Sequence, residues 1–221
     1  MATSQVTLGY WDIRGLAEPI RTVLEYVELP YNMELFNSFE TWSEKKTKAD
    51  YLFPNLPYLV DGDKTITESE AIIAHVCLKA GKAELLGKDE DRVEFIQLRN
   101  IIGDAYGLIT RNCYINKDEE SLKKALATAE TSNTYKMTGL NEILGKKEWL
   151  LGYITYLDFM LAEFIERSIH MDEELGTTIT KNYPNLVAHA KRFLELPKIK
   201  EYRQSEKFKA RPYNGHIASW K

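Results

Sequence analysis

The strongest constraint on this chain is a change of period near residue 87. Before it, strand-like runs alternate with helical stripes; after it, every apolar pattern repeats as a helix does. VTLGY (6–10) and LPYNMELF (29–36) have strand composition, and between them Leu16, Ile20, Val23, Leu24 and Val27 recur at helical spacing. This is a β-α-β unit. PYLVDGDKTIT (57–67) reads as two short strands around a turn at Asp61 and Gly62. ESEAIIAHVCLKAG (68–81) reads as a helix with Ile72, Ile73, Val76 and Cys77 inward and Gly81 as its stop. Residues 1–87 are therefore expected to form an α/β domain in the order β-α-β, a connecting segment over 37–54, then β-β-α.

GKDED (87–91) has the glycine and charge of a linker, and residues 88–221 are expected as a second, all-α domain. Its helices are predicted over 90–115, 119–144, 156–175, 185–194 and 198–204. In YITYLDF, Thr155 and Asp158 have the spacing of a helix N-cap with an acidic partner three residues on, a structural signal with no catalytic part. A length of 221 residues suits two modest domains.

Composition narrows the function. With 44% hydrophobic and 28% charged residues and a formal charge of -4, the chain resembles an ordinary globular protein. Nucleic acid is not an expected partner, since nothing supplies the basic surface that phosphate backbones require. The apolar runs are far below the ~18 residues that span a bilayer, and the N-terminal residues carry no signal-like core. A cytoplasmic protein is expected, with no membrane association. Cys77 and Cys113 form no C-x-x-C, the four histidines share no metal-ligand spacing, and both cysteines read as small buried hydrophobes.

The order β-α-β, β-β-α is that of a thioredoxin-like fold, whose redox members place C-x-x-C at the first strand-to-helix turn. Here that turn holds Tyr10-Trp11-Asp12-Ile13, so a phenol stands where a thiol would be. Alone, the Tyr-Trp pair reads as packing more readily than as chemistry. Leu56-Pro57 opens a strand, and either proline isomer suits that position; a cis bond would present backbone groups for an added strand. Thr67 and Glu70 match a capping box, while Ser69 at the same helix start would also suit a carboxylate ligand. Trp42 and Lys46, one turn apart, read either as helix surface or as an indole and an ammonium along a cleft. Taken together, a strand-adding edge, a carboxylate seat, a cation and a phenol fit a small, acidic, thiol-bearing peptide.

The sequence resembles the cytosolic glutathione transferases, and most closely their mu class. The resemblance is carried by GYWDIRGLA (9–17), LFPNLPYLVDG (52–62), ITESEAI (66–72), ITYLDF (154–159), YPNL (183–186) and the ending RP…W (211–220). It implies a thioredoxin-like N-terminal domain followed by an all-helical domain that forms the electrophile site and part of a dimer interface. It implies that Tyr10 is catalytic and donates a hydrogen bond to the glutathione sulfur. Trp11, Leu16, Trp42, Lys46, Asn55, Leu56, Pro57, Glu68 and Ser69 would line the glutathione site, with Pro57 cis. Asp104 would reach the partner subunit's glutathione, and Phe53 would insert into the neighbouring subunit of a homodimer. Ile13, Leu16, Thr110 and Tyr114 would line the site for a hydrophobic electrophile. Glutathione is then a co-substrate, and no cofactor or metal is implied.

The sequence departs from the mu pattern in four places, one being the absence of a basic residue usual near Trp42. Most of the mu loop between Tyr31 and Trp42 is missing, Glu68 stands where glutamine is usual, and the tail YNGHIASWK is atypical. The activity implied is conjugation of glutathione to hydrophobic electrophiles. The same fold and site also serve glutathione-dependent isomerases of the prostaglandin synthase kind, and a non-catalytic carrier of hydrophobic ligands is a third reading.

Overall fold

The computed structural model describes residues 5–209 and 211–221. The chain divides into two compact units, one comprising Met1–Ala83 with Glu201–Gly215, the other Glu84–Lys200 with His216–Lys221. The C-terminal stretch is thus split, most of it packing with the α/β unit.

The first unit is built on a four-stranded sheet in the order β2-β1-β3-β4, with β1 at Val6–Trp11, β2 at Tyr31–Phe36, β3 at Tyr58–Asp61 and β4 at Lys64–Thr67. β1 pairs parallel with β2 and antiparallel with β3, and β3 pairs antiparallel with β4. A parallel pair needs a crossover, supplied by helix α1, Glu18–Tyr26. β1 is interior to the sheet, so Val6, Leu8, Gly9 and Tyr10 are all buried. Gly9 is fixed by packing: a Cβ there would lie 2.2 Å from Cζ of Tyr58, whose ring fills the space.

Helix α2, Phe39–Thr47, lies in the segment expected as a connection and starts at Ser38, whose hydroxyl accepts from the Thr41 N–H. Helix α3, Ser69–Lys79, buries Ile72, Ile73, Val76 and Cys77 as predicted, and Gly81 follows it at φ +68°. Three local expectations need correction. The hairpin turn is Gly62-Asp63, one residue later than predicted, because Asp61 pairs with Lys64 and the glycine takes the positive φ of the first central position. The N-cap of α3 is Glu68, without a side-chain cap bond, so the Thr67–Glu70 capping box does not start this helix. Leu16 leaves the buried stripe of Ile20, Val23 and Leu24: it sits in a 3-10 turn, Gly15–Ala17, and is 48% exposed.

The second unit contains the long helices α4 (Arg92–Ile115), α5 (Glu119–Leu144), α6 (Tyr156–Leu175) and α7 (Pro184–Leu194). Helix α4 packs on α5 and α6, and α7 on α5 and α6. Of the 20 residues of α6, 14 are buried, so it is the unit's central helix. Its first turn is fastened by Asp158, whose carboxylate accepts from the N–H groups of Thr155 (2.9 Å) and Leu150 (3.1 Å) and meets Nε2 of buried His189 at 3.0 Å. The Thr155–Asp158 capping box predicted from sequence is present. Cys77 and Cys113 are free and buried. Helices α8 (Pro197–Gln204) and α9 (Glu206–Lys209) complete the chain's helices among the described residues.

Candidate active site

Strand direction alone gathers most of the predicted site at one end of the sheet. β1 and β2 run parallel and end there at Trp11 and Phe36; β3 runs the other way and so begins there, just after Pro57; β4 ends there at Thr67. The register pairs Gly9 with Tyr58 and Tyr58 with Thr67, which sets Tyr10 on β1, Pro57 just before β3 and Glu68 just after β4 at the same end of three adjacent strands. Ligands in sheets of this kind bind beyond the carboxyl ends of the parallel strands.

Tyr10 is 5% exposed at the end of β1. Its hydroxyl oxygen accepts the Leu16 backbone N–H at 3.0 Å. A phenol that accepts in this way is the stronger donor through its own O–H. The approach depends on Gly15, at φ +43°, where a Cβ would come within 2.7 Å of the Tyr10 hydroxyl. The loop is held from below by Arg21, fully buried, whose Nη1 donates to the carbonyls of Ile13 (3.0 Å) and Arg14 (3.3 Å) and to Glu18 Oε2 (2.8 Å). Glu18 in turn accepts from the Tyr202 hydroxyl at 2.8 Å. Burial and the Glu18 carboxylate both push the Tyr202 phenol far above its ordinary pKa, so it stays a donor.

The same loop is clamped by the C-terminal stretch. The N–H groups of Arg14 and Gly15 donate to the carbonyls of Pro212 (2.8 Å) and Tyr213 (3.2 Å), and the Arg14 guanidinium lies 4.0 Å from the Tyr213 ring centroid and 4.7 Å from that of Phe208. Arg211 meets Asp12 at 3.3 Å. Sequence reasoning missed Arg14, Gly15, Glu18, Arg21 and Tyr202 in this role. Gly15 at the turn was the one local signal; the Glu18–Tyr202 bond joins residues 184 apart and leaves no local pattern.

The remaining predicted residues divide by environment. Trp11 is partly exposed and meets Phe36 edge-on at 6.4 Å. Trp42 is buried, stacked on Tyr58 at 6.2 Å and edge-on to Phe36 at 5.4 Å, so its indole is also core. Lys46 is exposed, whereas its neighbour Lys45 is engaged with Glu34, which also accepts from the Tyr58 hydroxyl at 2.6 Å. Asn55 is exposed and Leu56 buried, and the Leu56–Pro57 peptide bond is cis. Ile13 is partly buried beside Leu16 in sequence, and a Cβ on Gly15 would lie 3.2 Å from its Cδ1. Glu68 is exposed at φ +70°, a left-handed conformation unusual outside glycine, and precedes Ser69, the first residue of α3. Phe53 is a second such outlier, at φ +58° and 77% exposed.

Asp104, Thr110 and Tyr114 all lie on α4 of the helical unit. Asp104 is 72% exposed on its side chain and meets Lys136 at 3.6 Å. Thr110 accepts a hydrogen bond from Arg167 at 2.9 Å, and Tyr114 is exposed. Among the described residues no group of three or more His, Cys, Asp or Glu side chains could hold a metal ion, and no helix is long and apolar enough to cross a membrane.

A thioredoxin-like sheet whose first strand ends in a buried tyrosine, in a chain that continues as a helical domain, has the architecture of the glutathione transferases. Comparison with known proteins agrees along nearly the whole chain. Residues 6–77 match the family model of the glutathione S-transferase N-terminal domain, and residues 104–206 that of the C-terminal domain. Glutathione S-transferase Mu 7 of Rattus norvegicus is 35% identical over 224 residues, covering 97% of this chain and 98% of the relative. Glutathione S-transferase Mu 3 of Homo sapiens is 34% identical over 225 residues, covering 98% and 96%. The crystal structure of the glutathione S-transferase Blo t 8 superposes with a TM-score of 0.84 at 26% identity, covering 96% of this chain and 98% of that one. The chain belongs to the glutathione S-transferase family and is mu-class-like.

Proposed function

We propose that the protein transfers glutathione to hydrophobic electrophiles, using Tyr10 to hold the glutathione sulfur as a thiolate. The observation that supports this reading is the setting of Tyr10: it is buried at the end of β1, and its hydroxyl oxygen is fixed by the Leu16 N–H at the turn where related folds keep a thiol. A free thiol of pKa ~8.5 is only about 3% ionised at pH 7, and the thiolate is the nucleophile. A hydrogen bond donated to sulfur favours the charged form, each unit of pKa depression corresponding to about 1.4 kcal/mol. An ordinary tyrosine, with pKa ~10, remains protonated at neutral pH and suits that task without acting as a base.

Glutathione lies along the sheet edge, its backbone pairing beside the cis Leu56–Pro57 bond and its γ-glutamyl end at Glu68 and Ser69. Trp11, Trp42, Lys46 and Asn55 flank it. The N-terminal end of α3 favours a carboxylate there. The electrophile faces Ile13 and Leu16 of the Tyr10 loop. In a displacement the thiol proton passes to solvent, the sulfur–carbon bond forms, and the leaving group departs with its electron pair. Proximity in an apolar site supplies much of the rate.

The protein acts in the cytoplasm as a homodimer, with Phe53 as the residue that enters the neighbouring subunit and Asp104 directed to the partner's glutathione. Residues 1–87 are the glutathione-binding domain and 88–221 the electrophile and dimer domain in this reading. Titration of purified protein with glutathione, followed by conjugation of an aryl halide, tests the whole: saturable glutathione binding with turnover is expected, and absence of saturation contradicts it.

A further inference from the structure

Arg21 on α1 is a fully buried guanidinium cation beneath the Tyr10 loop, and its bonding is lopsided. Nη1 alone serves the carbonyls of Ile13 and Arg14 and Oε2 of Glu18. Nε and Nη2 are buried with no hydrogen-bond partner among the described residues. The guanidinium carbon lies 5.9 Å from the centroid of the Tyr10 ring. Stability does not account for this arrangement, because an orphaned buried donor costs free energy and a buried ion pair is often replaced by apolar residues without loss. Holding the loop explains Nη1 but not the two nitrogens left bare.

The surroundings fix the local charge balance. Glu18 supplies one carboxylate, which accepts from Arg21 Nη1 and from the Tyr202 hydroxyl at 2.8 Å each. Two phenols also face the pair, Tyr202 from α8 and Tyr31 from β2, the latter donating to Glu25 Oε1 at 2.8 Å. Burial foremost, then Glu18 for Tyr202 and Glu25 for Tyr31, pushes both phenols far above their ordinary values, so both stay neutral. One guanidinium therefore stands against Glu18, with Glu25 engaged by Tyr31, and it is the guanidinium that lies against the Tyr10 ring. A cation near the face of a phenol favours negative charge on its oxygen and so strengthens the O–H as a donor.

We propose that Arg21 is a positioning residue that also polarises Tyr10: its charge, balanced by Glu18 and Tyr202, strengthens the hydrogen bond that Tyr10 donates to the glutathione sulfur. This rests on the reading above that Tyr10 holds that sulfur as a thiolate. The consequence is directional. Weakening Glu18 leaves Arg21 less opposed and favours the thiolate, whereas weakening Arg21 disfavours it. A merely mechanical support predicts no such opposition of sign. Loosening the loop from either partner would misplace the Leu16 N–H that meets the Tyr10 oxygen, and both changes would disfavour the thiolate.

The test is the titration midpoint of the bound glutathione thiol in full-length protein, read from the ultraviolet absorbance of the thiolate across pH. Glu18→Gln keeps the side chain's shape, and its amide still accepts from Arg21 and donates to the Tyr202 oxygen, so the change is chiefly one of charge. It is expected to lower the midpoint by about half a unit. Arg21→Met raises it by about one unit, and Arg21→Lys falls between Met and the wild type. Tyr202→Phe, which takes a donor from Glu18 and leaves its charge less masked, raises the midpoint by a smaller amount. In a Tyr10→Phe background the Glu18→Gln shift shrinks to about half or less, as groups acting through one another require. Should the Arg21 variants fail to fold, the sign of the Glu18→Gln shift decides; should that variant fail too, an unchanged midpoint in Tyr202→Phe overturns the inference. A midpoint unchanged or raised in Glu18→Gln overturns it, as does a shift that persists in full in Tyr10→Phe. Tyr10→Phe alone separates the two readings. If it raises the midpoint, the role of Tyr10 stands whatever Glu18→Gln does; if it leaves the midpoint in place, both fall.

Discussion

Tyr10 and Phe differ by one hydroxyl, and in this site that hydroxyl already accepts the Leu16 N–H. Tyr10→Phe removes the donor to sulfur while the ring and the loop beneath it keep their packing. Glutathione binding is expected to persist and conjugation at pH 7 to fall roughly a hundredfold. Steady-state assays across pH check this, the loss shrinking as alkaline pH ionises the thiol unaided; equal turnover near pH 7 refutes the role. A second residue-scale prediction concerns Asp61, which takes hydrogen bonds from Lys79 and His75 at 2.8 Å each. The Lys79 bond, against the opposing effect of burial and aided by His75, holds the Asp61 carboxyl below its ordinary pKa. The stability it contributes is therefore present above the ordinary aspartate value of ~3.9 and is lost as pH falls through the lower folded value. Carboxyl NMR should show Lys79→Met raising the Asp61 midpoint toward ~4. A midpoint that stays put would rule out the lysine as the cause.

Among the elements, α6 is where sequence was most informative and structure added most. Its span, 156–175, and its Thr155–Asp158 cap follow from periodicity and a three-residue spacing, both local signals. The partner of Asp158 across to α7 is not local: His189 reaches the same carboxylate from 31 residues away. Asp158→Ala should lower unfolding free energy by about 3 kcal/mol, since it orphans buried N–H groups and a buried imidazole. Chemical denaturation measures this through the midpoint at constant slope, and a shift below about 1 kcal/mol would show that the cap is dispensable. The connecting segment 37–54 illustrates the opposite case. Phe39–Thr47 forms α2, yet ETWSEKK looks like any exposed helix surface, and only the ring of Trp42 against Tyr58 and Phe36 shows which side is core.

At the scale of the molecule, Leu52 and Phe53 are large apolar side chains held out at 79% and 77% exposure, Phe53 in a backbone conformation that disfavours a bulky residue. Such an arrangement persists where something outside the unit compensates for it. Phe53→Asp is expected to convert the proposed dimer to monomers at micromolar concentration, read by sedimentation velocity; an unchanged sedimentation coefficient would refute Phe53 as the key. Apart from α2, the succession of elements along the chain, the all-α second half and the positions of Tyr10, Pro57 and Ser69 at element ends were legible in the sequence, because periodicity, strand ends and turn residues are set by neighbours in the chain. Tertiary structure alone decided the direction of the bond at the Tyr10 oxygen, the Arg21–Glu18–Tyr202 support beneath its loop, and the return of Glu201–Gly215 to the first unit. It also decided that Thr110 faces a buried arginine. These depend on which distant side chains share a buried site, where an N–H or a charge must find a partner, and no local pattern records that pairing.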